Sequence, residues 1–308
     1  MRVITLGSGK GGTGKSFLAA NLGIALARRG VKTCLVDLDL GCADLNLLLG
    51  LLEPPRRSVL EVLRGGSGAL RDVMVPADAA GHLHLVPGSS ETVRAAGLTG
   101  REIAQLASGL RELPVEMVIV DLAAGVGHQV LDLLLASDLQ LIVTTPDPLS
   151  LSDAARLLGL ARLRCSARTS GSIASAARPR VYTSLDELVR DLNAVREEDI
   201  VGRGGASFRP ALVLNRVKPD GGLSASELLA NLRGEVGGKL DLPLLAEVPE
   251  DPAVERSVRL LEPLANLAPA SAASRAIADL AVYLAGEGGI PESPIIAELA
   301  LGSLPNLA

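Results

Sequence analysis

Short runs of apolar residues alternate along this chain with longer segments in which apolar positions recur every three or four residues. Residues 3–6, 33–36, 84–86, 117–120, 139–144, 211–214 and 244–248 are compact runs rich in Val, Ile and Leu, and they read as strands. Residues 17–29 place Leu18, Leu22, Ala25 and Leu26 on one helical face, and residues 271–285 form a last long helix that stops at Gly286. Strands apolar throughout, separated by helices, predict a doubly wound α/β fold: a mostly parallel sheet with helices on both faces. Ligands of such sheets sit beyond the carboxyl ends of the strands. Asp37, Asp39, Asp121 and Asn215 all stand at that end. Ser184-x-x-Glu187 and Ser224-x-x-Glu227 fit the capping box that starts a helix, and Ser150-x-x-Asp153 comes close to it.

Two stretches break the alternation. Residues 165–208 follow one helix with a Ser-, Ala- and Arg-rich half and then a helical pattern carrying Leu185, Leu188, Val189, Leu192 and Val195. Residues 286–308 hold Pro291 and Pro294 and then an apolar run. The expected organisation is one domain over 1–285, interrupted by a helical insertion at about 165–208, with a C-terminal tail over 286–308. No repeat of fixed period is visible.

Composition narrows the function classes. The 308 residues include 30 Lys+Arg and 35 Asp+Glu, a net charge of −5, which weighs against a dedicated nucleic-acid binder. Two Tyr, two Phe and no Trp leave little for base stacking. Cys34, Cys42 and Cys165 form no C-x-x-C pair, so neither a disulfide framework nor a cysteine-held cluster is expected. Cys34 and Cys42 read as buried small hydrophobes. His82, His84 and His128 show no ligand spacing. No run of about 18 apolar residues spans a membrane, and a start that turns glycine-rich after one strand does not read as a secretory signal. A cytoplasmic protein is expected.

The densest chemistry lies in Gly9-Lys10-Gly11-Gly12-Thr13-Gly14-Lys15-Ser16. It satisfies G-x-x-x-x-G-K-[ST], follows a strand and opens a helix, the context in which this spacing binds nucleotide phosphates. Glycines let backbone N–H groups converge on phosphate without Cβ clashes. The helix N-terminus adds positive potential. Lys15 is expected at the β- and γ-phosphates and the Ser16 hydroxyl on Mg²⁺.

Lys10, a second lysine just after the first glycine, makes the loop resemble the deviant Walker A motif of the MinD/ParA family of P-loop ATPases (SIMIBI type). The resemblance continues in Val36-Asp37-Leu38-Asp39-Leu40-Gly41, similar to switch I, and in residues 118–127, similar to Walker B plus switch II. It continues further in Thr144-Thr145-Pro146-Asp147-Pro148, similar to the helix-capping turn of MinD-like proteins, and in Leu214-Asn215-Arg216-Val217 and Val248-Pro249-Glu250-Asp251, similar to two base-contacting segments. Within the family, Asp39-Leu40-Gly41, the T-T-P-x-P turn, Asn215 and residues 270–276 bring the chain nearest in flavour to FlhG-like regulators of flagellar number.

The resemblance implies a site. Lys10 would touch phosphate across an ATP-sandwiched homodimer. Asp39 would orient the attacking water or join the metal shell, Asp37 would support Mg²⁺ through water, and Asp121 would hold a metal-bound water, with Ser16 as the direct ligand. Gly9, Gly11, Gly12, Thr13, Gly14, Lys15, Ser16 and Phe17 would cradle the phosphates and Gly125 would face the γ-phosphate. Asn215, Arg216 and Pro249 would surround the adenine, with the Asn215 amide on its edge. Two departures stand out. Leu122-Ala123 occupies the place where the family usually has Ser, Thr or Gly and then Pro or Gly, and nothing precedes the first strand that corresponds to the segment by which FlhG contacts its GTPase partner.

The implied function is a slow ATPase switch that positions or regulates a cellular assembly. Two alternatives remain open at this stage, a nucleotide-dependent scaffold without turnover and a P-loop ligase of the dethiobiotin-synthetase kind. The arginines at 162–180 have the chemistry to meet DNA backbone or anionic lipid, but a solvated loop is the preferred reading. Residues 295–308 carry Glu298 and no Lys or Arg, unlike the basic amphipathic helix by which MinD meets membrane, so docking on the body or on a protein partner is expected.

Overall fold

A computed structural model describes residues 1–53, 55–65, 68–89, 97–169, 208–218 and 242–286, together with 227, 228, 230 and 232. The helical pattern at 185–195, the capping boxes starting at Ser184 and Ser224 and the apolar tail lie outside the described residues.

Eight strands among the described residues form one sheet: β1 (Arg2–Gly7), β2 (Thr33–Leu38), β3 (Val75–Pro76), β4 (Leu83–Val86), β5 (Met117–Leu122), β6 (Leu139–Thr144), β7 (Pro210–Val217) and β8 (Leu244–Pro249). Their spatial order is β3-β4-β2-β5-β1-β6-β7-β8. Every pairing is parallel except that of the short edge strand β3 with β4. The expected doubly wound α/β architecture is thus the observed one.

Alternate residues of each strand feed two separate cores. Val3, Val36, Val118 and Val120 point into one, with α3 (Val59–Gly65), α4 (Gly100–Leu110), α5 (His128–Leu134) and α6 (Pro148–Thr169) against it. Ile4, Leu6, Leu35 and Ile119 point into the other, covered by α1 (Lys15–Arg28), the short α2 (Leu45–Leu48) and α8 (Leu264–Leu267), and α9 (Ala272–Ala285). This two-sided burial is what lets the strands be apolar throughout. α7 (Pro252–Leu260) follows β8. Ser271 caps α9 by accepting from the Ser274 N–H, and Gly286 ends it in the left-handed region, as the sequence predicts. No helix among the described residues is long and apolar enough to cross a membrane.

Three local readings change. β2 and β5 each run two residues further than expected, so Asp37 and Asp121 lie within the paired strands rather than past them, opposite one another in register. Leu38 and Leu122 continue the buried apolar pattern, and their pairing carries the ladder on. α6 starts at Pro148, ahead of Ser150, because Asp147 takes the capping role and accepts from the Ser150 N–H at 2.9 Å. α6 then continues to Thr169, past the expected start of the insertion. Arg162 is consequently buried at 2% exposure and Arg164 forms a two-pronged pair with Asp132, so these two arginines do not belong to a solvated loop. Cys34 is buried as expected, but Cys42 is exposed, because it follows the Gly41 turn at the rim of the sheet.

Candidate functional site

The carboxyl ends of β1, β2, β5, β6 and β7 converge on the loop between β1 and α1. Two of its glycines are dictated by space. A Cβ on Gly9 would lie 2.2 Å from the Asp153 carbonyl of α6, and one on Gly14 would lie 2.2 Å from Asn215 Nδ2. Gly14 also takes φ +87°, a conformation that disfavours any side chain. These constraints deliver Lys15 and Ser16 as the first residues of a helix whose free N–H groups face the loop.

Lys15 is 5% exposed. Its Nζ donates to Asp121 Oδ1 at 2.5 Å and lies 4.0 Å from Asp39 Oδ2 and 3.5 Å from Ser16 Oγ. Burial raises the Asp121 carboxyl above its ordinary range, with the Lys15 charge and hydrogen bonds from Lys15 and Ser16 acting against that rise. Burial likewise raises Asp39, partly countered by Lys15. Asp37 is pushed up to about 7 by burial and by the neighbouring Asp121 charge, although the N–H groups of Leu45 and Asp39 bond to it at 3.2 and 3.1 Å. Two carboxylates, Asp39 and Asp121, thus share one buried ammonium, and Asp37 stands opposite Asp121 in the ladder. Asp44, which sequence reasoning passed over, adds a further negative charge felt by Asp39 and Asp121.

This donor set is all hard oxygen, the chemistry of Mg²⁺. Among the described residues no group of three or more His, Cys, Asp or Glu is arranged to hold a metal ion alone. Mg²⁺ in nucleotide sites is commonly bound through one or two carboxylates together with substrate phosphates and water, and Ser16, Asp37, Asp39 and Asp121 offer oxygens of that kind.

Lys10 takes a different partner. Its Nζ donates to Asp147 Oδ1 at 3.1 Å. Burial alone would raise the Asp147 carboxyl, but hydrogen bonds from Thr145, Ser150 and Lys10 outweigh it and hold it well below the usual carboxylate range. In the sequence Asp147 reads only as part of a turn. Its place directly before Pro148 is the signal that marks it as a helix cap.

The remaining expected residues fall around this centre. The Gly125 N–H donates to the Ser8 carbonyl at 2.8 Å, which ties the end of β5 to the phosphate loop. Gly11 and Gly12 are exposed at the loop tip, and Thr13 is buried with its Oγ1 unpartnered. Phe17, in the first turn of α1, is partly buried and packs against the core. Asn215 Nδ2 donates to the Thr13 carbonyl at 2.7 Å, while its Oδ1 accepts from the Arg216 N–H at 3.0 Å. The Arg216 side chain is exposed, and Pro249 pairs with Val217 at the end of β8.

The family described as the CobQ/CobB/MinD/ParA nucleotide binding domain matches residues 4–264. The chain is 27% identical over 286 residues to the septum site-determining protein MinD of Escherichia coli, covering 93% of this chain and 92% of that one. It is 35% identical over 162 residues to the antiactivator FleN of Pseudomonas aeruginosa, covering 52% of this chain and 56% of that protein. The fold superposes with a TM-score of 0.66 on a chain of the MinC:MinD cell division protein complex of Aquifex aeolicus, at 25% identity, covering 94% of this chain and 98% of that one.

Proposed function

Because this chain belongs to the CobQ/CobB/MinD/ParA family of nucleotide-binding domains, we propose that it binds ATP with Mg²⁺, dimerises around the nucleotide and hydrolyses it slowly, as a switch that positions or regulates a cellular assembly. The observation that carries this reading is the pairing of Lys15 with Asp121 and Asp39 at the mouth of a glycine loop. A γ-phosphate reaching this loop competes with two carboxylates, the buried Asp121 and the partly exposed Asp39, for one ammonium. The presence or absence of that phosphate is therefore felt at once by β2 and β5, the strands from which the two switch segments emerge.

In this reading the loop glycines, Thr13 and Phe17 line the phosphate site, and Gly125 faces the γ-phosphate. Lys15 and Lys10 neutralise charge that builds up as the bond between the γ-phosphorus and the bridging oxygen breaks. Asp39 orients the water that attacks phosphorus and takes up its proton. Bound Mg²⁺ would supply further charge neutralisation at the phosphates, held by Ser16, with Asp37, Asp39 and Asp121 around it. Arg216 and Pro249 border the base. Catalysis here is positioning and electrostatics rather than covalent chemistry. The resemblance to FleN and MinD, an antiactivator and a septum site-determining protein, supports a protein partner, and in this reading the protein is cytoplasmic and reaches the membrane only through that partner. A second reading, nucleotide-dependent scaffolding without turnover, is favoured by one feature: Leu122 is 1% exposed and packed in the core, and Ala123 follows it where the switch would otherwise begin polar.

Light scattering after size exclusion, with and without ATP, tests the dimer, and an unchanged mass overturns it. Asp39→Ala should keep ATP bound and the dimer populated while phosphate release falls by about a hundredfold or more, in the range of a lost general base. Unchanged release removes Asp39 from that role. Tight ATP binding with no turnover in the wild type favours the scaffold.

A further inference from the structure

The reading of Asn215 as a base-recognising side chain explains neither of the hydrogen bonds it makes. We infer that Asn215 is a positioning residue for the phosphate loop: it fastens Thr13 and Gly14 to the sheet, and so sets the affinity for the phosphate chain of a nucleotide whatever its base. This deepens the nucleotide-site reading above and rests on it.

Four observations converge on that assignment. Asn215 is 8% exposed and sits on β7, a strand paired on both sides, by β6 and by β8, so its side chain starts from a rigid support. The residue after it, Arg216, is held at φ +57°, a conformation rare for a non-glycine residue, beside an irregularity in the β7–β8 register between Asn215 and Val217. In that conformation the Arg216 N–H turns back on Asn215 Oδ1 at 3.0 Å. A backbone N–H can only donate, so it fixes which end of the amide is oxygen. The other end must then be the NH₂ group, and it meets the Thr13 carbonyl at 2.7 Å. Finally, Gly14 leaves no more than the space this NH₂ group fills, since a Cβ there would come within 2.2 Å of it. Backbone strain at Arg216, the orientation of the amide and the left-handed glycine form one connected device, and its output is the position of the N–H groups that open α1.

The two roles differ in what they predict for ligands of graded size. Binding of ATP, GTP and inorganic tripolyphosphate is compared by calorimetry in the full-length wild type and in Asn215→Asp. That change keeps the shape and the acceptor for the Arg216 N–H but sets an oxygen against the Thr13 carbonyl. A buried hydrogen bond lost and a carbonyl left facing an acceptor should weaken all three ligands by about tenfold or more, in similar proportion. Tripolyphosphate carries no base, so its parallel loss is a result that base recognition does not give. If Asn215→Asp binds tripolyphosphate as the wild type does, while ATP loses its advantage over GTP, the clamp is overturned and the base reader stands. Unchanged binding of all three also overturns it. Asn215→Ala, which adds no charge, carries the same comparison should the aspartate variant fail to fold. Wild-type protein that takes up neither ATP nor tripolyphosphate overturns the nucleotide-site reading, and the clamp with it.

Discussion

Two lysines of one loop, Lys10 and Lys15, are bound by aspartates in opposite ways. The Lys15 side chain is 5% exposed and its partner Asp121 2%, with Asp39 close by. The Lys10 side chain is 35% exposed and its partner Asp147 46%. The first pair has given up its water, so each charge depends on the other, and removing one strands its partner in a low-dielectric site. The second stays in contact with water, and its net contribution to stability is small. The fold therefore fixes Lys15 and leaves Lys10 free to change partners cheaply. In the proposed function the fixed lysine holds the phosphate and the exchangeable one answers a second copy.

The largest effect should follow from Lys15→Ala. Calorimetry should find ATP binding lost. Urea unfolding at neutral pH should show a stability loss of roughly 3–5 kcal/mol, the scale of a buried charge deprived of its partner. Adding Asp121→Asn to the same chain should restore much of that stability without restoring ATP binding, since the stranded charge is gone but the phosphate ligand is not. A Lys15→Ala chain as stable as the wild type would mean that the Lys15–Asp121 pair is not the desolvated element of this contrast.

The carboxylates behind Lys15 give the next effect. Burial, and then the Asp121 charge, hold the Asp37 carboxyl up at about 7. An unfolded chain releases that proton near the ordinary Asp value, whereas the folded chain keeps it until the raised value is passed. The contribution of Asp37 is thus fully present below the unfolded pKa and is lost as pH rises towards 7. Between pH 5.5 and 8 the wild type should lose about 2 kcal/mol through this group, read from urea midpoints. Asp37→Asn should flatten that part of the slope. Asp39 and Asp121 are raised in the same direction, so a smaller slope should remain. An identical slope in the variant would mean that Asp37 does not carry the proton.

The sequence made the buried side of this contrast more legible than the exposed one. Residues 9–16 announce themselves because phosphate chemistry requires a fixed spacing, and the apolar strands around them are equally plain. The same apolar pattern concealed where β2 and β5 stop. A carboxylate reads as a strand end, yet Asp37 and Asp121 sit opposite one another inside the ladder while Leu38 and Leu122 continue it. The partner of Lys10 was hidden for a different reason. Ser150-x-x-Asp153 imitates a capping box, whereas the cap is Asp147, set by Pro148 after it, and it lies 137 positions away from Lys10. Arg164 on α6 meets Asp132 on α5 and Arg162 is buried, and a cluster of arginines read along the chain contains no sign of either. Periodicity and local motifs survive in sequence, whereas ion pairs between separate elements exist only once the sheet has brought those elements together.

The smallest effect on stability, and the sharpest test of the contrast, belongs to Lys10→Ala. Asp147 does not need Lys10 to stay charged and in place, because Thr145 donates to it as well and the Ser150 N–H anchors it at the start of α6. Removing the ammonium should therefore cost less than about 1 kcal/mol, and the difference should shrink as salt is added, as expected of an exposed pair. ATP affinity measured at low protein concentration should stay close to that of the wild type, since Lys15 and the loop are untouched. The ATP-dependent increase in mass should disappear, because in the proposed dimer Lys10 is the cation that meets the phosphate of a second copy. If Lys10→Ala unfolds as readily as Lys15→Ala, the exposed pair is part of the structural frame. Lys10 would then have no freedom to exchange Asp147 for a phosphate.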